Sequence, residues 1–139
     1  MLPPLRPADL DATSPAEAAA EATEDPCLDR LRNVGVVFTA LPPAGSGACR
    51  VENPVSVAAL ADGVTLVPPA VVLCPVAEVL ASWTRDVVAP ATAQQFRKPL
   101  KWLQIGGSYE CRGRNRQRGA PLSEHARANA VDVMAFGLA

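Results

Sequence analysis

Large apolar residues are sparse before Cys27 and recur in short runs after it. Leu28 and Leu31 make one face of a short helix starting at Cys27, which Gly35 can close in a left-handed cap. Residues 36–39 read as a strand, Pro42-Pro43-Ala44-Gly45-Ser46-Gly47 as a loop, and residues 55–60 as a second strand. Asp62-Gly63 between two apolar runs is a hairpin signal. The clearest periodicity places Val76, Val79, Leu80, Trp83 and Val87 at i, i+3, i+4, i+7 and i+11. It predicts a core helix over about 75–88, with Pro75 at its first position and Pro90 ending it. Trp83 belongs to that stripe and is assigned to packing. Residues 100–105, with Trp102, read as a strand, Gly106-Gly107-Ser108 as a turn, and residues 131–136 as a closing strand. These elements describe an α+β domain, a small mixed sheet with packed helices.

The chain has 139 residues, of which 49% are hydrophobic. That suffices for one domain with a genuine core. Residues 1–25 combine Pro, Ala, Glu, Asp and Thr. They cannot bury enough surface to offset the entropy of ordering, and are read as a disordered acidic tail preceding a domain over 26–139. The formal charge of −1 hides an asymmetry. The tail carries six acids and one arginine, the remainder eight acids and twelve bases. The modest positive balance of the domain suits an anionic wall polymer such as peptidoglycan and falls short of a dedicated nucleic-acid binder.

Cys27, Cys49, Cys74 and Cys111 are widely spread, without the close pairs of a zinc ribbon. Two disulfides in an oxidising compartment are expected, with all three connectivities open; four buried thiols in a cytosolic protein are the plain alternative. The N-terminus lacks the basic and apolar regions of a signal peptide. The apolar run 64–80 is broken by Pro68, Pro69 and Pro75 and is assigned to the core, so no membrane span is expected.

The most chemically suggestive stretch is 108–132, which contains His125, the only histidine. His125 and Asp132 are both metal-ligand types. Seven residues of continuous helix would separate them by about 10.5 Å, whereas two ligands of one zinc need donor atoms within about 4 Å. A shared metal therefore requires a chain reversal, which Asn129 is placed to make.

Ser123-x-His125-x-x-Ala128-x-Ala130-x-Asp132 resembles a motif of the zinc D,D-peptidase and hedgehog-like superfamily. The resemblance implies zinc as cofactor, His125 and Asp132 as its ligands, Arg112 holding substrate or a developing oxyanion, and Ser123 supporting the site. Cys27-Leu28, Gly35-Val36-x-Phe38, Gly47-Ala48-Cys49, Pro54-Val55, Cys74-Pro75-x-Ala77, Trp83, Ser108-Tyr109-x-Cys111-Arg112 and Ser123-Glu124-His125-Ala126 together resemble the bacterial extensin-like C-terminal domain family across 26–139. That resemblance implies the peptidase-like fold, a periplasmic or cell-envelope location, and a peptidoglycan peptidase-like function.

Two departures bear on this expectation. Ala128 stands where the superfamily has glycine, and a positive φ there would strain alanine by about 1 kcal/mol or more. Family members also continue further and carry a late histidine that completes the zinc site. If Ala139 is the natural end, the expectation is an incomplete fold, weak metal binding and little hydrolysis. A non-catalytic wall-binding module is the rival function. Arg112, Arg114, Arg116 and Arg118 alternate along a loop. With no interleaved aromatics to stack bases, they make a poor nucleic-acid site.

Overall fold

The computed structural model describes residues 25–112 and 120–139. The acidic tail through residue 24, and Arg114, Arg116 and Arg118 of the arginine loop, lie outside the described residues. The first helix, α1 (Pro26–Asn33), begins with Asp25 accepting the Cys27 N–H at 2.7 Å and Pro26 in the first turn. Its buried face is Cys27, Leu28 and Leu31, and Gly35 turns the chain at φ +84°. No side chain other than hydrogen enters that region without cost, so glycine here is conformational.

Strand β1 (Val37–Ala40) pairs antiparallel with β2 (Pro54–Ala59), and β2 with β3 (Thr65–Leu73). Between β2 and β3, Asp62 and Gly63 both take positive φ, 64° and 75°. That is the twist which a tight hairpin demands, as Asp-Gly predicted. The Cys74–Trp83 helix, α2, leaves β3 directly. It passes through a π turn at Thr84–Val88 into α3 (Ala89–Phe96). This crossover brings β4 (Leu100–Gly107) parallel to β3, with Leu66 opposite Leu103. An antiparallel β5 (Asp132–Leu138) completes a five-stranded mixed sheet of order β1-β2-β3-β4-β5. Leu31, Val55, Val57, Val72, Ala77 and Leu103 are essentially inaccessible at the centre of the core between sheet and helices. The α+β architecture is as expected.

The expected core stripe of the long helix is corrected in part. Leu80 is buried and Val76 packs against the core, but Val79 is 68% exposed, Val87 54% and Trp83 38%; beside Leu80 the side turned inward carries Ala77, Ala81, Thr84 and Val88. Small residues let α2 lie close to the sheet, and the π turn rotates the face presented after Trp83. Trp83 packs instead on Phe136 of β5, ring centroids 6.3 Å apart. Pro90 does not end the helix. It lies two residues past the π turn, and the backbone stays helical through it to Phe96.

Disulfides join Cys27 to Cys74 and Cys49 to Cys111, settling the connectivity that spacing left open. The first ties α1 to the start of α2. Beside it Arg30 donates to Glu78 at 2.6 Å, and that hydrogen bond holds the Glu78 carboxyl below its ordinary pKa. Among the described residues no helix is long and apolar enough to cross a membrane.

Candidate functional site

The chain reversal that His125 and Asp132 require is made by a short 3-10 turn, Glu124–Arg127. Ser123 opens it, its Oγ accepting the His125 N–H at 3.1 Å. Ala128 closes it in the left-handed region, at φ 56° and ψ 29°. The reversal thus sits one residue before Asn129. The Asn129 N–H donates to the Glu124 carbonyl at 2.9 Å and its Nδ2 to Glu124 Oε1 at 3.1 Å, bracing the turn from outside. Alanine at position 128 therefore carries the local strain anticipated for it.

The turn is anchored on two sides. The Leu73 N–H donates to the Ala128 carbonyl at 2.9 Å, tying it to the end of β3. On the other side the Glu110 N–H donates to the His125 carbonyl and the Ser123 N–H to the Arg112 carbonyl, each at 3.0 Å. The segment 108–112 is itself fixed to β3: Ser108 Oγ accepts the Val71 N–H at 3.0 Å, and the Tyr109 N–H donates to the Val71 carbonyl at 2.9 Å. Tyr109 Oη donates to the Cys49 carbonyl at 2.7 Å, beside the Cys49–Cys111 disulfide.

Within this frame His125 is buried, and its Nε2 lies 3.3 Å from Asp132 Oδ1 at the start of β5. Asp132 is the exposed partner, its side chain 53% accessible. The other ring nitrogen, Nδ1, is 2.8 Å from the Ser108 carbonyl oxygen. A carbonyl only accepts, so Nδ1 carries the proton. Nε2 then faces the carboxylate either as a lone pair, available to a cation, or as the second N–H of an imidazolium paired with Asp132. A neutral histidine fixed through Nδ1 to a backbone carbonyl, with Nε2 free, is the usual support of a metal-ligating imidazole.

Two residues without an assigned role in the sequence reading shape this site. Ser108 supplies the carbonyl that sets the tautomer. Gly107 supplies room: a Cβ there would stand 3.3 Å from Asp132 Oδ2 and 3.9 Å from His125 Cε1. Gly106-Gly107 was expected as a turn and instead ends β4. A Cβ on Gly106 would strike the Met134 side chain, so both glycines answer to neighbours on β5. A glycine pair directly before the motif was the available signal.

Arg112 is mostly buried, its side chain 18% accessible, and its Nε donates to Glu110 Oε1 at 3.0 Å. Glu124 is engaged by Asn129 and by Arg127 at 3.7 Å. Among the described residues no third His, Cys, Asp or Glu joins His125 and Asp132 in a metal-sized cluster.

Compared with protein families, the chain matches the family described as Extensin-like protein C-terminus over residues 25–139. Comparisons with curated proteins and with solved structures gave no match.

Proposed function

The chain belongs to the family of the extensin-like protein C-terminus, and from that premise we propose that it is a cell-envelope domain of the zinc-peptidase type directed at peptidoglycan. The observation that carries the proposal is the posture of His125, with Nδ1 committed to the Ser108 carbonyl and Nε2 facing the Asp132 carboxylate at 3.3 Å.

These two donors fit two of the three protein positions of a catalytic zinc, in type and in separation. Zinc bound there would lower the pKa of a coordinated water to about 7. The residues of this chain have separate tasks. Ser123 holds the turn that presents His125. Ser108 fixes the imidazole tautomer. Arg112, braced by Glu110, offers its remaining guanidinium N–H groups to a substrate carboxylate or oxyanion. Two disulfides suit an oxidising compartment such as the periplasm.

A second reading has its own observation. Only two metal donors converge among the described residues, which favours a wall-binding module that holds peptidoglycan without cleaving it. Incubation of the chain with purified sacculi and zinc separates the two. The peptidase reading expects zinc-dependent release of new amino groups, lost in His125→Ala. Zinc-independent sedimentation with sacculi, indifferent to His125→Ala and weakened by Arg114→Ala or Arg116→Ala, supports the binding module and overturns the peptidase.

A further inference from the structure

A cavity of about 620 Å³ lies beside the His125 turn, between the start of α1, residues 48–53 and the start of α2. Its walls are held in place by the fold itself. The Cys27–Cys74 disulfide joins the starts of α1 and α2. The Leu73 N–H donates to the Ala128 carbonyl at 2.9 Å and so fixes the turn that carries Arg127. Ala44 and Val51 pair as an isolated antiparallel bridge, which fixes the segment carrying Arg50 and Glu52.

The charged groups of the lining are Arg50, Arg127, Asp25 and Glu52. They are reachable from solvent: the side chains of Arg50 and Arg127 are 52% and 53% accessible, and that of Glu52 63%. Each also keeps hydrogen-bonding capacity. Arg50 commits Nε to Glu52 Oε2 at 2.6 Å, and among the described residues its terminal NH₂ groups have no partner. Arg127 stands 3.7 Å from Glu124, beyond hydrogen-bond distance. Asp25 accepts the Cys27 N–H through Oδ1 and Glu52 accepts from Arg50 through Oε2, which leaves one oxygen of each carboxylate open. Two guanidinium groups and two carboxylates cancel, so a polyanion gains no net attraction here. A ligand carrying both signs satisfies both sets.

From these observations we propose that the cavity binds the zwitterionic amino-acid end of a short peptide. Its carboxylate is taken by the guanidinium forks of Arg50 and Arg127, and its ammonium by the open oxygens of Asp25 and Glu52. The volume falls within the range of ligand sites. The source of such ends rests on the peptidoglycan reading above; the geometry of the site does not.

The test is titration of the isotope-labelled, zinc-free chain with meso-diaminopimelate, followed through backbone amide signals. The proposal expects saturable shifts centred on Ala48, Asn53, Cys74 and Arg127, retained in His125→Ala. Arg50→Ala and Arg127→Ala should each weaken binding about tenfold, the low end for losing a hydrogen bond between charged groups. Pimelate, the same skeleton without ammonium groups, and 1,5-diaminopentane, the same without carboxylates, should each bind more weakly by a similar factor. Absence of saturable shifts, unchanged affinity in either arginine variant, or equal affinity for either analogue overturns the proposal. Loss of binding in His125→Ala does so too, since the ligand would then sit at the His125 site. Failure of zinc-dependent cleavage alone overturns the peptidase reading and leaves this site standing.

Discussion

His125 Nδ1 and the Ser108 carbonyl oxygen are 2.8 Å apart, and this one hydrogen bond determines which face of the imidazole looks outward. Ser108 is in turn clamped to β3 through Val71, so the ring is positioned by the sheet and not by its own turn alone. Nitrogen chemical shifts of the single histidine should report Nδ1 protonated. Added zinc should move the Nε2 resonance and leave Nδ1 nearly still. Movement of Nδ1 alone would mean that the Ser108 contact breaks when metal arrives.

The room around Asp132 is predicted to be a property of Gly107. Alanine there brings a methyl to 3.3 Å from Asp132 Oδ2, tighter than ordinary contact, so the carboxylate must give by a few tenths of an ångström. Gly107 has no positive φ to lose, and the fold should tolerate the change. Gly107→Ala is expected to weaken zinc binding by about tenfold, the low end for changes in the support of a metal ligand, with little shift in melting temperature. Unchanged affinity would show that Asp132 Oδ2 is not involved.

Ala128 and Arg97 both hold left-handed backbone, each at φ 56°, in different surroundings. Left-handed geometry costs a non-glycine residue about 1–2 kcal/mol. Ala128 is fully buried, and its methyl returns about 0.8 kcal/mol by burial. Ala128→Gly should therefore gain only about 0.5 kcal/mol in urea unfolding. Exposed Arg97 has no such compensation, and Arg97→Gly should gain about 1 kcal/mol. Destabilisation of both variants would contradict the strain assigned to these caps.

The two disulfides close chain separations of 47 and 62 residues. Each should contribute about 4 kcal/mol through restriction of the unfolded chain. Their effects on the site are expected to differ. Cys111 adjoins Arg112, and the nearby Tyr109 hydroxyl reaches the Cys49 carbonyl. Replacing Cys49 and Cys111 by alanine should therefore lower both stability and zinc affinity. Replacing Cys27 and Cys74 should lower stability and leave the affinity of the folded fraction unchanged. Equal losses of affinity would mean that the site depends on global stability alone.

Most strands and the hairpin were legible because their signals are local. Asp62-Gly63 needs only its own backbone to declare a turn, and Leu28 with Leu31 declares the face of α1. The face of the long helix was legible only in part: Leu80 is buried as the period requires, but the pattern of large apolar residues also points to Val79, Trp83 and Val87 while the sheet receives Ala77 and Ala81. Close packing selects small side chains, and hydrophobic periodicity gives them little weight. The π turn compounded the error by shifting register at Thr84. At the candidate site, the need for a reversal between His125 and Asp132 followed from helix geometry. Its pivot did not: Asn129 has the better propensity, yet the hydrogen bond from Leu73 to the Ala128 carbonyl fixes the reversal one residue earlier. The role of Ser108 was hidden because a backbone carbonyl leaves no mark on residue type.

The most direct test of the central claim is calorimetric titration of the chain with zinc beside His125→Ala and Asp132→Ala. The account predicts one ion per chain, bound with release of protons, and binding lost in both variants. Zinc binding that survives either substitution, or no specific binding to the parent chain, would contradict His125 and Asp132 as a shared metal site.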